Sequence, residues 1–571
     1  MYISLKSPNR SILIFLLIIP CILTAFIHLW NPIGFPNGPN NDEGIYIRRA
    51  MHVLSGQGPQ ESSLYDHPYF GQMFLGSILA FIGYPNSLDP SIGDVHSIEM
   101  LYLVPRILMG ILAVADTFLI YKISECRYSR NVAFIASTLF AVMPITSWTL
   151  RTVWLEPIQL PFLLASILFA IYAINLEKKP NIENNNSNSN KNKKNLLVLL
   201  SGIFLGLAIF TKIPAITMIP LVAFIIYQNN SGSGNVKTLG LWFIPVILIP
   251  LIWPAYATYR GQFDLWLNDI LWQSHRGVQT LFSSLIYDFQ LDPVLLFLGV
   301  ASLVFVAIKR DLFLLLWTVP FLIFLYIIGF VSWWHFTPII PAACIAAGRL
   351  IEYVSNLKIR NKSLQQVLPF IIISGIAIFG LTSTIAMLIA TSNNSAYFET
   401  AAFLVRYLYN GNTNTGNSQN NDKITVVSNP FYSWIPRDVF HLNHARYVDY
   451  YDGKIPLYTK DVLLTVDPPM VDKLLHHQAA KPIQQIYNSN DTKRIALFGG
   501  ANVHNKYDQV TVYLYEQDAP TMLNNKGLAL AELGMYNQSI VYFDKALAIN
   551  PSDNNALNNK NSTLEALSKI K

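Results

Sequence analysis

A polytopic α-helical membrane protein is the fold class this sequence predicts, followed by a C-terminal soluble α/β domain and a short helical-repeat tail. Three observations carry that expectation. Of 571 residues, 52% are hydrophobic and only 13% charged, a balance too apolar for an ordinary soluble enzyme. Apolar runs long enough to cross a bilayer core, which needs roughly 20 residues of helix, recur along the first two thirds of the chain. Beyond residue 392 they give way to Asn-rich and β-branched sequence.

The runs fall at about 11–30, 100–121, 131–147, 157–175, 196–211, 213–227, 239–258, 291–308, 312–331, 337–353 and 366–391, which predicts eleven spans within residues 1–392. The first is read as a retained anchor, because its apolar stretch is long and no convincing small-x-small cleavage site precedes Asn31. Lysine and arginine in short loops stay on the cytoplasmic side. Lys6, Arg10, Lys122, Arg127, Arg130, Lys178–Lys194, Lys237, Lys309, Arg310, Lys358, Arg360 and Lys362 all vote for a cytoplasmic N-terminus. The protein is therefore expected as a multi-pass protein of the cell membrane, with its C-terminal domain extracytoplasmic.

The first outer loop, about 31–99, contains two segments too short or too mixed to span, IYIRRAMHVL (45–54) and PYFGQMFLGSILAFIG (68–83), expected as juxtamembrane helices. The polar stretch at 181–195 reads as a disordered linker. Residues 393–519 form the expected extracytoplasmic α/β domain, with strands within 422–434, 493–500 and 508–516. The three cysteines, Cys21, Cys126 and Cys344, lie in or beside spans, so the outer region is built without disulfides. Residues 520–571 resemble a tetratricopeptide repeat, with Gly527, Gly534, Tyr536, Phe543, Ala546 and Pro551 at the expected offsets and Leu557 answering Leu523 at the 34-residue period. One and a half repeats bury no solenoid core alone, so this tail is expected to pack on its neighbour or on a protein partner. Asn393, Asn490, Asn537 and Asn561 stand in Asn-x-Ser/Thr sequons on the expected outer side.

Counting spans from an inward N-terminus places the unusual polar residues on one face. Asp42 and Glu43 follow the first span, and Arg106 lies in the outer part of the second. Arg151 and Glu156 flank the turn between the third and fourth, and Lys212 sits between the fifth and sixth. His275 and Arg276 lie between the seventh and eighth, and Trp333, Trp334 and His335 between the ninth and tenth. Ionisable groups at a membrane boundary are costly and are kept for function. Acids and bases gathered there suit a sugar carried on a polyprenyl phosphate: a carboxylate deprotonates an acceptor hydroxyl, while a cation or metal ion steadies the departing phosphate. Bland readings stand beside these. Glu43 also fits a first-turn helix charge, Arg48 and Arg49 read as lipid-headgroup contacts, and Trp333 and Trp334 read as interfacial belt residues. Nothing in the sequence points to nucleic acid.

DEGIY (42–46), DHPYF (66–70), RTVWLEP (151–157), GLAIFTK (206–212) and HFTPIIPAACIAAGR (335–349) together resemble the polytopic class C glycosyltransferases, in particular the superfamily of dolichyl-phosphate-mannose protein mannosyltransferases and aminoarabinose transferases. The likeness covers roughly residues 10–390. It implies a hexosyltransferase, mannose being one candidate sugar, with a polyprenyl-phosphate donor and a protein or lipid acceptor. By resemblance Asp42 is the catalytic base, Glu43 completes the acidic pair, and Glu156 is the second acidic position. Arg106, Arg151 and Lys212 become candidates for the lipid phosphate, with His67, His275, Arg276 and His335 as further donor-site candidates. The family's His-Pro-Pro reads His67-Pro68-Tyr69 here, which puts the local turn in doubt. A divalent metal bridging Asp42 and Glu156 varies within the superfamily and stays open, as the sole cofactor candidate. Three readings compete with it, one of them a polymer-binding receptor built around the repeat tail, which leaves the elaborate first outer loop unexplained. An oligosaccharyltransferase would carry a WWDYG-like run after its spans, whereas SWWHF (332–336) sits inside the bundle. A transporter or flippase would line mid-depth with charge, whereas these charges cluster at one boundary.

Overall fold

The computed structural model describes residues 10–34, 41–58, 65–88, 94–177, 187–228, 234–274, 280–357, 362–390, 395–414, 425–428, 430–443, 445–449, 461–466, 484–488, 511–516, 519–532 and 534–570. The membrane part runs α1 (Arg10–Leu29), α2 (Asn41–Leu54), α3 (Phe70–Phe81), α4 (Val95–Arg127), α5 (Arg130–Val142), α6 (Pro144–Arg151), α7 (Leu155–Glu177), α8 (Ser187–Thr211), α9 (Ile219–Tyr227), α10 (Gly234–Leu248) and α11 (Ile252–Tyr259). It continues with α12 (Phe263–Ser274), α13 (Leu281–Leu291), α14 (Pro293–Ile308), α15 (Leu312–Ile328), α16 (Ile340–Ser355) and α17 (Lys362–Ala390). Among the described residues, six helices are long and apolar enough to cross a bilayer, or up to seven if α5 and α6 form one span. The four remaining expected spans coincide with shorter apolar helices, Leu16–Leu29, Ile213–Tyr227, Pro293–Ile308 and Leu312–Ile328.

Two departures from the expected spans have local causes. α5 and α6 meet at 64°, because Met143 precedes Pro144 and takes an extended conformation (φ −76°, ψ 139°), as the residue before proline prefers. The expected linker at 181–195 is helical from Ser187 onward; its polar residues extend a helix that the apolar half of α8 nucleates, and propagation costs less than initiation. The segment expected as a juxtamembrane helix at 45–54 lies within α2, which starts earlier at Asn41, and the one expected at 68–83 contains α3.

Lipid tails offer helices no hydrophobic reason to associate, so close packing of small residues and interhelical hydrogen bonds must do it. α7 and α8 exchange reciprocal serine bonds: Ser166 Oγ donates to the Ser201 carbonyl at 2.8 Å, and Ser201 Oγ to that of Ser166 at 2.9 Å. On the neighbouring face of α8, Gly202 and Gly206 form a Gly-x-x-x-Gly stripe against α10. A Cβ at Gly202 would stand 2.3 Å from the Trp242 carbonyl oxygen, and one at Gly206 2.6 Å from that of Pro245. At one end of the bundle, Arg349 and Tyr128 meet Asp311, and Lys122 and Arg130 meet Glu125. The other end carries the candidate site.

After the bundle come α18 (Ser395–Asn414), β1 (Thr425–Ser428), α19 (Pro430–Trp434), β2 (Arg446–Asp449), β3 (Asp461–Val466), β4 (Gln484–Asn488) and β5 (Thr511–Glu516). The strands form one sheet in the order β2-β1-β3-β5-β4, parallel across β2-β1-β3 and antiparallel across β3-β5-β4. β1 and β5 fall within segments expected as strands, the expected strand at 493–500 lies outside the described residues, and β2, β3 and β4 were not expected. The chain ends in α20 (Ala519–Glu532), α21 (Tyr536–Ile549) and α22 (Asn554–Ile570). Gly527 lets the Phe543 ring into the α20–α21 contact, where a Cβ would come within 2.5 Å of it, and Ser539 Oγ donates to the Gly527 carbonyl at 2.6 Å.

Candidate active site

The short helix α2 organises the site by presenting different work on two stripes. Residues spaced i, i+4, i+7 share a face, so Glu43, Ile47 and Ala50 line one stripe and Asp42, Tyr46 and Arg49 the next. The first stripe is sealed: Glu43, Ile47 and Ala50 are each fully buried. Arg106 of α4 grips the Glu43 carboxylate with both arms, Nε to Oε1 at 3.0 Å and Nη2 to Oε2 at 2.7 Å. The Val153 N–H donates to Oε1 at 2.9 Å, tying α2 to the turn between α6 and α7. Arg106 Nη1 also donates to the Pro32 and Ile33 carbonyls at 3.0 and 3.3 Å. A charge buried this deeply is tolerable only when its partners satisfy it, and here Arg106 and the Val153 amide do so.

Arg106 and Arg151, expected at the lipid phosphate, are therefore internal struts. Each is about 1% exposed. Arg151 donates through Nη1 to the Ile27 carbonyl and through Nη2 to the Trp30 and Asn31 carbonyls at 3.0 and 2.6 Å. It thereby binds carbonyls at and beyond the C-terminus of α1, groups that lack helical donors and carry the negative end of the dipole.

The second stripe opens toward the acids of other segments. Burial raises the Tyr46 phenol well above its ordinary range, and the charges of Asp42, Glu156 and Asp66 raise it further against the opposing Arg49. Three carboxylates from α2, the 65–69 turn and α7 thus bear on one hydroxyl, which stays protonated. Asp42 is half-buried. Arg49 holds Asp66 bidentately, Nη1 to Oδ1 at 2.8 Å and Nη2 to Oδ2 at 3.2 Å. Burial pulls the Asp66 carboxyl upward, but Arg49 and His67 outweigh it and keep it below the usual range. The His67 ring lies 6.1 Å from that of Tyr46. Tyr69, where the family motif has proline, packs at 5.4 Å against Tyr256 and 6.5 Å against Trp253, so an aromatic cluster supports this turn.

Glu156 opens α7 and receives the Lys212 ammonium in a nearly sealed ion pair. Gln159, one turn along the same helix, donates to the carbonyls of Lys212 and Ala208, the latter at 3.0 Å. α7 therefore fixes both the backbone and the side chain of Lys212. Beside Glu156 stands an aromatic wall. Trp154 lies 5.8 and 5.1 Å from Trp333 and Trp334, Trp148 lies 5.1 Å from Trp333, and Tyr287 stacks on Trp333 at 5.6 Å. His335 packs on Trp334 at 5.7 Å and accepts the Ser332 N–H on Nδ1 at 3.0 Å.

Several expectations change with these positions. Arg48 and Arg49 are 6% and 4% exposed, too enclosed for headgroup contacts, and Arg49 serves Asp66. Trp333 belongs to an interior cluster and not to an interfacial belt. His275 and Arg276 lie outside the described residues. Among the described residues no three His, Cys, Asp or Glu side chains converge to hold a metal ion, and Glu156 is paired with Lys212. Tyr46 and Asp66 were missed as site residues, although the quoted DEGIY and DHPYF runs contain both.

Residues 59–262 match the family model of the dolichyl-phosphate-mannose-protein mannosyltransferases. The chain is a glycosyltransferase. In this glycosyltransferase the matched segment takes in Asp66, His67, Arg106, Arg151, Glu156 and Lys212, and it begins after Asp42 and Glu43. Residues 520–553 match the tetratricopeptide repeat. No curated protein matches the full sequence significantly. The fold is similar to that of the Archaeoglobus fulgidus oligosaccharyltransferase tethered with an acceptor peptide, at 12% identity and a TM-score of 0.51 over 81% of this chain and 70% of that one. It is similar also to ArnT from Cupriavidus metallidurans in the apo state, at 12% identity and a TM-score of 0.50 over 88% of this chain and 98% of that one.

Proposed function

We propose that this glycosyltransferase moves a hexose, mannose being the first candidate, from a polyprenyl phosphate to a hydroxyl on a protein or lipid acceptor at the extracytoplasmic face. Asp42 acts as general base. The observation that carries this reading is the set of contacts joining three segments at one end of the bundle: Arg49 of α2 holds Asp66, the Tyr46 ring lies 6.1 Å from that of His67, and the Val153 N–H, three residues before Glu156, donates to Glu43 beside Asp42. Glu43 sits in the same acidic pair, but it is fully buried and its carboxylate accepts three hydrogen bonds from Arg106 and Val153, so its oxygens are already engaged. Asp42, half-buried on the adjoining stripe, is the member of the pair placed to meet an acceptor.

In the proposed step the acceptor O–H proton passes to an Asp42 carboxylate oxygen as the hydroxyl oxygen attacks the anomeric carbon. The bond from that carbon to the phosphate oxygen breaks, and the polyprenyl phosphate leaves with the electron pair. A single displacement inverts the anomeric configuration. Lys212, aligned by Glu156 and Gln159, supplies the positive charge that meets the departing phosphate. The Tyr46 phenol, held protonated, supplies a fixed O–H donor among the carboxylates. Charge stabilisation of this kind is effective because the groups are preorganised in a water-poor site and need not reorganise during reaction.

The test is to incubate the purified full-length protein with a panel of radiolabelled polyprenyl-phosphate monosaccharides and identify what is consumed. Consumption of a hexose donor with inversion supports the proposal, and consumption of none defeats it. A second reading is favoured by the fold shared with an oligosaccharyltransferase. Transfer from lipid-linked oligosaccharide alone would select it.

A further inference from the structure

The buried contacts that fix Glu43 continue beyond the membrane helices into the region that follows them. α19 seats Trp434, itself fully buried, against Gly44 of α2. A Cβ at Gly44 would meet both Trp434 Nε1 and Tyr102 Oη at 3.2 Å, so a side chain here would have to push the indole or the phenol back by a few tenths of an ångström. The Trp434 indole N–H donates to the Tyr102 hydroxyl of α4 at 2.9 Å, and the two rings lie 5.9 Å apart. Tyr102 is also fully buried. One turn further along α4, the Arg106 guanidinium carbon stands 6.0 Å from the Tyr102 ring centroid, and Arg106 holds Glu43. Trp434, Tyr102, Arg106 and Glu43 therefore form one sealed series that ends beside Asp42.

We infer that Trp434 is a positioning residue for the reaction: the region after the bundle wedges its indole between α2 and α4 and so sets the placement of the helix carrying Asp42. The inference rests on the reading of Asp42 as base. It goes further by giving that region a catalytic consequence through α2. A helix of 14 residues is marginal by itself, and Glu43 and Gly44 are the points at which α4 and α19 grip its first turn. A displacement of about 1 Å in a reacting group can cost on the order of 100-fold in rate, so a modest loosening of this wedge would register in turnover.

The test uses the full-length protein in nanodiscs with Trp434→Phe, which keeps a ring and removes the N–H donor, and with Tyr102→Phe, which removes the partner oxygen and leaves Trp434 intact. Hydrogen exchange of peptides spanning 41–54 is read first. Both variants are expected to exchange about tenfold faster there, with the α7 and α8 amides unchanged. Steady-state transfer from dolichyl-phosphate mannose, or from whichever hexose donor the wild type consumes, is read next. The expectation is a kcat about tenfold lower with the donor KM within about twofold, since an interaction felt only in the transition state lowers kcat alone. Unchanged exchange at 41–54, or acceleration spread evenly over all helices, overturns the inference. So does a raised KM with kcat retained. A wild type that consumes no donor counts against the proposed function, and the exchange result still decides the wedge.

Discussion

Removing Glu43 should do more damage than removing any other acid at this end of the bundle, and the damage should depend on Arg106. In Glu43→Leu the Arg106 side chain, with no exposed surface, keeps its charge and loses two charge-assisted bonds, while the Val153 N–H loses its acceptor. Breaking a buried pair from one side costs about 3–5 kcal/mol, and an orphaned buried amide adds about 1–3 kcal/mol. Glu43→Leu is thus expected to lose roughly 4–8 kcal/mol, and Arg106→Met about 3–5 kcal/mol. The double variant carries no unpaired charge, although Val153, Pro32 and Ile33 still lack partners. It should fall short of the sum of the singles by about 2–3 kcal/mol. The assay is equilibrium unfolding in mixed detergent–SDS micelles, run as a double-mutant cycle. A Glu43→Leu variant within about 0.5 kcal/mol of wild type, or a coupling indistinguishable from zero, would refute the assignment of Glu43 and Arg106 as a buried clamp.

Glu156→Gln should lower kcat about 10- to 100-fold with expression unchanged, because Lys212 loses the carboxylate that aligns it toward the phosphate; a wild-type rate measured on purified protein would remove this pair from the mechanism. Asp66 supplies the pH dependence. Its carboxyl titrates lower in the folded protein than the ordinary value of about 3.9, so its contribution to stability is present above about pH 4 and is lost as pH falls through the depressed folded value. Asp66→Asn should therefore flatten the acid limb of the stability curve below about pH 4, and an unaltered limb by urea titration would show that Arg49 does not hold Asp66 ionised. The tail is proposed to recruit a protein acceptor, and deletion of residues 520–571 should then reduce transfer to that acceptor while leaving donor consumption in its absence unaffected. Identical acceptor preference after deletion would refute this role.

The apolar runs were legible because a bilayer demands long, charge-free segments, and the described helices lie where those runs fall. Length was less legible. The α5–α6 bend depends on one Met-Pro step, and runs such as 213–227 are divided between a short 3-10 segment and α9. The sheet was legible only at β1 and β5, which stand inside longer β-branched and aromatic runs at 422–434 and 508–516; β2 and β4, four and five residues long, have no such run around them. At the site, the sequence indicated which residues were costly and on which face they lay. It did not indicate which costly residues were employed on each other. Arg106, Arg151 and Lys212 look alike in the sequence, yet Arg106 holds a carboxylate and two carbonyls, Arg151 holds the end of α1, and Lys212 is held in turn by Glu156. The difference between Asp42 and Glu43 was equally invisible, because it arises from the 100° step between successive residues of a helix whose two stripes meet different neighbours.

The account turns on Asp42 as the group that takes the acceptor's proton, and Asp42→Asn tests it most directly. The substitution keeps the size and half-buried setting of the side chain, so folding and binding of polyprenyl phosphate should match wild type while single-turnover transfer of radiolabelled hexose falls at least about 100-fold, in line with the loss of a general base. Transfer by Asp42→Asn at the wild-type rate would contradict the account.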